Sequence, residues 1–478
     1  MTLITEQAHS WVNGNPWQSQ RQLTVHNPAN DVPIATVSIA DHEAAEQALN
    51  AAQACFDILK QRPAQQRAEV LLRWYHLILD HQAALAELMT TEQGKPLSEA
   101  LAEVRYAAGF VQWFAEEARR AYGEVIPSHS AGHQLITVKQ PIGVVLGITP
   151  WNFPLAMITR KVAPAYAAGC PFILKPSEET PLSAIALAKL ALEAGFESAA
   201  FQVLVSDDAA ALVAPLLASP VVRKLTFTGS TAVGKKLLAL SADTVKRTSM
   251  ELGGNAPFIV FSSADVHEAV AGLMIAKFRN GGQTCVAANR VFVHQDIHEA
   301  FTDALIEAVE KLRVGDGLEA NTDIGPLINA KAKDKAEYLV EDALSKGAQR
   351  VFQGTAGAGH FMAPTILRGV SEKMDIYHQE IFAPVVSIIA FSDESSVVRQ
   401  ANDVKEGLAA YFYSQDVSQI HRVSMALEYG MVGINEGAIS NPVAPFGGVK
   451  QSGLGREGAK EGLQEFLESK YLCQKFSS

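Results

Sequence analysis

From residue 143 onward the chain alternates short apolar runs with apolar helical stretches, and this alternation restricts the fold more than any other feature. "VVLGIT", "FILK", "FQVLV" and "KLTFTG" read as strands, with "AMITRKVAPAYAAG", "PLSAIALAKLALEAG" and "DAAALVAPLLAS" between them as helices. The runs are apolar throughout, so both faces of each strand must be covered. That predicts a parallel sheet with helices on both sides. A second series starts near residue 256: strand "PFIVF", helix "ADVHEAVAGLMIAKF", strand "NRVFVH", helix "HEAFTDALIEAVEKL". No repeat of fixed period and no low-complexity linker separates the two series, so they are expected to touch and form a crevice.

The first third is mainly helical by pattern. "DHEAAEQALNAAQACFDILK" opens on an aspartate placed to cap a helix, and apolar residues recur at three- and four-residue spacing through "PAQQRAEVLLRWYHLILDHQAALAELMTTEQG" and "KPLSEALAEVRYAAGFVQWFAEEARRAYG". These helices read as scaffold.

Several function classes drop out early. With 478 residues, of which 48% are hydrophobic and 19% charged, the chain has the composition of a globular protein of two or three domains. Its net charge of −11 opposes general affinity for nucleic acid or anionic membrane. "MTLITEQAHSWVNG" lacks the charged and apolar regions of a secretory leader. The most apolar window, "PIGVVLGITPWNFPLAMITRKV", is broken by Pro141, Pro150, Asn152 and Pro154, short of the ~20 unbroken residues a membrane span needs. Cys55, Cys170, Cys285 and Cys473 lie far apart, which disfavours a disulfide framework or a metal site and fits a cytoplasmic protein.

Two motifs suggest a dinucleotide. "FTGSTAVG" follows a strand and opens a helix, so Gly229 and Ser230 would present backbone N–H groups to a pyrophosphate, although an ordinary strand-to-helix turn has the same look. In "FILKPSEETP", Lys175 ends a strand and Pro176 stops it. Ligands of open α/β sheets bind beyond such strand ends. Lys175 and Glu178 could bond a ribose, and the Glu178 carboxylate would repel a 2′-phosphate, which favours NAD over NADP. A solvated loop ion pair is the alternative.

Three further segments carry chemistry: "PWNFP" with Asn152, "MELGGNAP" with Glu251, and "RNGGQTCVAANR" with Cys285 between a glycine turn and Arg290. Singly, each has an ordinary explanation: a helix cap, a strand-end acid, an inert buried thiol. Together, in this order and with "EIFAPV" and "PFGGVKQSGLGREG" after them, they resemble the NAD(P)-dependent aldehyde dehydrogenase superfamily over almost the whole chain. That resemblance implies Cys285 as nucleophile, the Asn152 amide and Cys285 N–H as oxyanion donors, and Glu251 as the base that activates water. It implies cofactor contacts from Trp151, Asn152, Lys175, Pro176, Ser177, Glu178, Gly229, Ser230, Leu252, Glu380 and Phe382, with Phe446 lining the nicotinamide pocket and substrate tunnel, a supporting role for Glu457, and no metal. Relatives that pass the acyl group to coenzyme A typically lack the glutamate matching Glu251, so hydrolysis to the free acid is expected.

Arg160 lies eight residues after Asn152, about two helical turns, and Arg279 six before Cys285. Two arginines converging on one tunnel call for an anionic substrate, unless either makes a structural ion pair. Within the superfamily "MITRK", "KFRNGGQTC" and "GAISNPVAPFGG" look like the succinate-semialdehyde dehydrogenase branch, which implies that Arg160, Arg279 and Ser440 hold the distal carboxylate of a small semialdehyde. Glutarate semialdehyde, one methylene longer, and broader aliphatic aldehydes stay open, as does, remotely, a non-catalytic protein keeping the fold. Several members of the branch carry a second cysteine two residues after the nucleophile; here Ala287 stands there, so no disulfide switch is expected. NADP-preferring bacterial members have a small residue in place of Glu178. The expected architecture is α/β: a Rossmann-like cofactor domain (1–122 and 143–252), a catalytic domain (253–444), and a small β element (123–142 and 445–478) building a homodimer or homotetramer.

Overall fold

The computed structural model describes residues 7–476. Residues 1–6 and 477–478 lie outside the described residues, and with them the start of the stretch read for a leader and the outer ends of the expected first and third units.

The strands Val144–Ile148, Phe172–Lys175, Phe201–Val203, Val222–Thr228 and Arg247–Glu251 pair in parallel. Counted along the chain, their spatial order is third, second, first, fourth, fifth. The chain winds outward in one direction from Val144–Ile148, then crosses back to Val222–Thr228 and winds the other way. A sheet built like this opens a crevice where the direction reverses, beyond the C-terminal ends of those two strands. Here those ends run into Pro150–Phe153 and Gly229–Ser230.

Helices cover both faces as the apolar strands require. Tightest is the helical side formed by Ala64–Asp80, Leu97–Glu117, Ala156–Ala168 and Pro181–Ala194, whose shared core contains Trp74, Phe110, Phe114 and Tyr166. Asp41 caps the helix His42–Leu59 by accepting from the Ala44 amide at 2.9 Å. The long helical pattern after Pro63 divides at His81 into Ala64–Asp80 and Gln82–Gln93. Before residue 40 the chain is extended rather than helical: Trp11–Val12 adds to the sheet edge against Phe201–Val203, and Gln7–His9, Pro33–Ser38 and Gln22–His26 form a separate three-stranded sheet.

A second, seven-stranded sheet runs from Ala256–Val260 to Met431–Ile434, parallel except at Gln349–Gln353. Only Leu252–Asn255 separates its first strand from the last parallel strand of the first sheet. The two sheets are therefore joined beside the crevice. A third sheet pairs His133–Pro141 with Leu467–Lys475 in register from end to end, and with Glu124–Ile126 on the other side. Between these, Gly453–Leu454 joins the edge of the first sheet and Ala459–Gln464 packs on its helices. No described helix is long and apolar enough to cross a membrane.

Gly147 sits on the innermost strand, where an added Cβ would lie 2.1 Å from Cζ of Phe172. Gly147→Ala is expected to destabilise the protein by about 1–3 kcal/mol through overpacking, seen as a lower urea midpoint at unchanged slope.

Candidate active site

Asn152 stands between the innermost strand and the helix Ala156–Ala168. The helix begins four residues after it, so Asn152 and Arg160 do not share a helix face as their spacing suggested. Asn152 does not cap that helix either, because Glu103 Oε1 accepts from the amides of Leu155 at 3.0 Å and Ala156 at 3.2 Å. Instead, Asn152 Nδ2 donates to the carbonyl of Gln283 at 3.0 Å, and its own carbonyl accepts from Lys95 Nζ at 2.7 Å and Asn280 Nδ2 at 3.0 Å. One amide N–H is used by Gln283, and the side-chain Oδ1 is buried without a partner.

The loop that brings Cys285 to this point leaves the helix Val266–Phe278 through Asn280, Gly281 and Gly282, all at positive φ. Opposite it, a Cβ on Gly254 would sit 2.4 Å from the Cys285 carbonyl oxygen, so only glycine lets the two segments pass. Burial, reinforced by Glu380, Glu251 and Glu457 and opposed by Arg160, pushes the Cys285 thiol up to about 12. The resting group is a thiol that needs a base. The second arginine of the motif faces away: Arg290 donates to the carbonyls of Gln400, Ala401 and Asn255 and to the Tyr429 hydroxyl at 2.9–3.1 Å, as a structural cross-link.

Glu251 ends the strand Arg247–Glu251 and is buried, with Oε2 unpartnered. Burial and the neighbouring Glu457 raise its carboxyl well above the ordinary value, against Lys161, Arg160 and Arg456. A carboxylate raised in this way is a stronger base than an ordinary one. Glu457 accepts from Lys161 Nζ and from Arg160 Nη1 at 3.4 Å.

Two cavities meet at Cys285. The larger, about 560 Å³, is the crevice of the first sheet. Trp151, Asn152, Gly229, Ser230, Glu251, Leu252, Glu380 and Phe382 all line it. Ser230 caps the helix Thr231–Ala242, turning that helix N-terminus toward the cavity. Trp151 and Phe382 meet edge to face at 5.8 Å, and Phe382 holds φ 59°, a strained setting for a bulky residue. Burial raises the Glu380 carboxyl to about 7, although it accepts from the Gly254 amide at 3.3 Å. Thr228 Oγ1 is buried on the same wall without a partner. A Cβ on Gly234 would lie 2.4 Å from Cδ2 of Leu252, so glycine lets the helix close on that wall. Helix N-terminus, hydroxyls, buried carboxyl and flat aromatic wall fit a dinucleotide. Lys175, Pro176, Ser177 and Glu178 lie on the adjacent strand end, outside the residues lining this cavity. There Lys175 Nζ is 2.8 Å from Glu178; burial opposes ionisation of Glu178, but Lys175 holds its carboxyl below the ordinary value.

The smaller cavity is a tunnel bordered by Tyr106, Arg160, Arg279, Cys285, Ser440 and Phe446, closed down to about 10 Å³. Arg160 is held at both terminal nitrogens while its Nε is buried without a partner: Nη2 donates to the Tyr106 hydroxyl at 2.5 Å, Nη1 reaches Glu457, and its guanidinium lies 4.5 Å from the Phe446 ring centre. Arg279 rests 4.7 Å from the Phe153 ring centre and 5.8 Å from that of Tyr106, with no carboxylate within 4.0 Å among the described residues.

Residues 12–472 match the aldehyde dehydrogenase family. The chain belongs to this family. It is 50% identical to the NADP(+) succinate-semialdehyde dehydrogenase of Escherichia coli (strain K12), over 97% of this chain and 96% of that one. It is 49% identical to the glutarate-semialdehyde dehydrogenase of Pseudomonas aeruginosa, over 98% of each. Among solved structures, an aldehyde dehydrogenase from Brucella melitensis biovar abortus 2308 superposes with a TM-score of 0.98 at 47% identity, covering 100% of this chain and 98% of that one.

For an aldehyde dehydrogenase, the geometry puts a thiol, a carboxyl able to take its proton, and an amide donor around one point reached from two cavities. Sequence reasoning missed Tyr106, Phe153, Met157 and Thr284 in the tunnel wall, and Thr228 in the larger cavity. Tyr106 lay inside a helix read as scaffold, and nothing in its local pattern set it apart.

The raised thiol sets a test. In the cofactor-free aldehyde dehydrogenase, the rate of Cys285 alkylation by iodoacetamide, followed by peptide mass, should climb about tenfold per pH unit from roughly pH 7 to 9, because only the thiolate reacts. A plateau below pH 8 would contradict the high thiol pKa.

Proposed function

We propose that this aldehyde dehydrogenase oxidises succinate semialdehyde to succinate with NAD(P)+. The observation that carries the reading is Arg279, a guanidinium without a carboxylate partner in a tunnel that ends on Cys285. Arg279 is half-buried and forms no ion pair among the described residues, so its guanidinium fork is open to an anion that a ligand brings. A four-carbon semialdehyde carries an aldehyde at one end and a carboxylate at the other, so one molecule can meet Cys285 and the Arg279–Ser440 end together.

On this reading Glu251 takes the Sγ proton, and the thiolate adds to the aldehyde carbon to give a thiohemiacetal. The Asn152 amide and the Cys285 backbone N–H stabilise its oxyanion. When bound, a nicotinamide dinucleotide supplies the hydride acceptor. Loss of hydride from the carbon leaves a thioester on Cys285. Glu251, its proton passed to solvent, then draws one from water, and hydroxide displaces the thiolate to release the acid. Arg160, gripped by Glu457 and Tyr106, shapes the tunnel and adds positive potential, while Arg279 and Ser440 meet the carboxylate directly. Glu178 supports a preference for NAD, since its carboxylate would face a 2′-phosphate. The division into a cofactor unit (1–122 and 143–252), a catalytic unit (253–444) and an assembly element (123–142 and 445–478) belongs to the same proposal. Exposed Val125, Tyr471 and Leu472 on the three-stranded sheet support a dimer or tetramer.

An aldehyde panel run with NAD and NADP tests the reading. Succinate semialdehyde should exceed butanal in kcat/KM by at least ~100-fold, and Arg279→Gln should remove about 2–3 kcal/mol from the first while sparing the second. NAD should be the better cofactor. Glutarate semialdehyde should fall behind by about 1–3 kcal/mol, the worth of one methylene. Equal use of butanal, or a faster reaction with glutarate semialdehyde, would overturn the substrate assignment.

A further inference from the structure

Behind Asn152 lies a charged pair that neither cavity touches. Lys95 and Glu103 are both buried, with Nζ 2.5 Å from Oε2. Burial alone pulls the Lys95 ammonium pKa down, and Glu103 works against that. A buried pair of this kind seldom improves stability over an apolar pair of the same volume, because two charges must leave water. Its retention therefore points to something the charges hold in place.

The hydrogen bonds show what that is. Lys95 Nζ donates to the Asn152 carbonyl at 2.7 Å and lies 4.0 Å from the centre of the Phe153 ring. The Lys95 backbone N–H donates to Gln93 Oε1 at 3.0 Å, and Gln93 Nε2 donates to Asn280 Oδ1 at 3.1 Å. Asn280 Nδ2 returns to the same Asn152 carbonyl at 3.0 Å. Glu103 spends its other oxygen on the first two amides of the helix that carries Arg160. The turn Gln93–Lys95 thus grips the Asn152 peptide from one side and the cysteine loop from the other. An oxyanion donor contributes fully only when it is aimed at the transition-state oxygen before reaction, and a misplacement of about 1 Å is costly.

We propose that Lys95, neutralised by Glu103, is a positioning residue for the oxyanion site: it fixes the Asn152 peptide so that the side-chain amide points at the reacting carbon. The inference rests on the oxyanion role given to Asn152 above. Lys95 touches neither substrate nor cofactor, so its loss should slow turnover without weakening binding.

A double-mutant cycle tests this on the full-length enzyme. Removing both charges with Lys95→Met/Glu103→Gln leaves no unpaired buried ion. This variant should lose about 10- to 100-fold in kcat, with the KM for NAD within twofold of native. In an Asn152→Ala background the same two changes should cost less than about threefold, because the group being positioned is gone. If the losses multiply in that background, or if kcat is unchanged in the native one, Lys95 does not act through Asn152. If Asn152→Ala alone keeps native kcat, the oxyanion assignment falls first. Lys95→Gln/Glu103→Gln, which keeps an N–H donor and likewise leaves no unpaired buried ion, should regain at least fivefold of the loss. A kcat as low as that of the methionine variant would overturn the proposal independently.

Discussion

The peptide and amide of Asn152 hold the site together. They are fixed from two segments distant in sequence: Lys95 from the helical layer, and Asn280 and Gln283 from the loop that leads to Cys285. The first sheet delivers Asn152 at its innermost strand end, and the second delivers Cys285 just before the strand Ala288–His294. Their relative position therefore depends on a few hydrogen bonds between loops, in a layer of structure where water is excluded and each bond counts for more. Gly254 matters for the same reason, since a side chain there would push the Cys285 carbonyl away.

Charge is arranged around that point with economy. Glu457 answers two cations, Lys161 and Arg160, and its proximity, together with burial, keeps Glu251 protonated more readily than an ordinary carboxyl. The same field, with Glu380 and burial, keeps Cys285 as a thiol. Neither group is reactive by itself at rest. On the proposed mechanism the thiolate appears when its proton moves to an ionised Glu251, and Glu251 activates water only after that proton has left for solvent. Arg279 lies over the Phe153 and Tyr106 rings, with no carboxylate within 4.0 Å among the described residues.

Much of this was legible from the residues. Strand–helix alternation identified the parallel sheets because buried strands cannot hide their apolar character, and the glycine-rich turn before Cys285 was visible in its motif. Other parts were not. The strands before residue 40 are short and mixed in polarity, so no period of two stands out. Lys95 and Tyr106 sit in or beside helices whose pattern is that of scaffold, and their importance comes from contacts with segments nearly fifty residues away or more. Arg290 looked like a cationic edge of the cysteine motif, but strand alternation turns it to the opposite side. Direction along a strand and hydrogen bonds between distant loops are properties of the folded chain, which spacing alone does not encode.

The central claim is that Cys285 carries the acyl group of a carboxylate-bearing aldehyde. It is tested most directly by intact-protein mass spectrometry of a Glu251→Gln enzyme quenched after mixing with NAD+ and succinate semialdehyde. At about pH 9, where a fraction of the Cys285 thiol ionises without Glu251, the missing water-activating base should let a thioester adduct of ~100 Da accumulate, mapped to the peptide containing Cys285 and discharged by hydroxylamine. Turnover with no adduct, or an adduct on any other residue, would contradict the account.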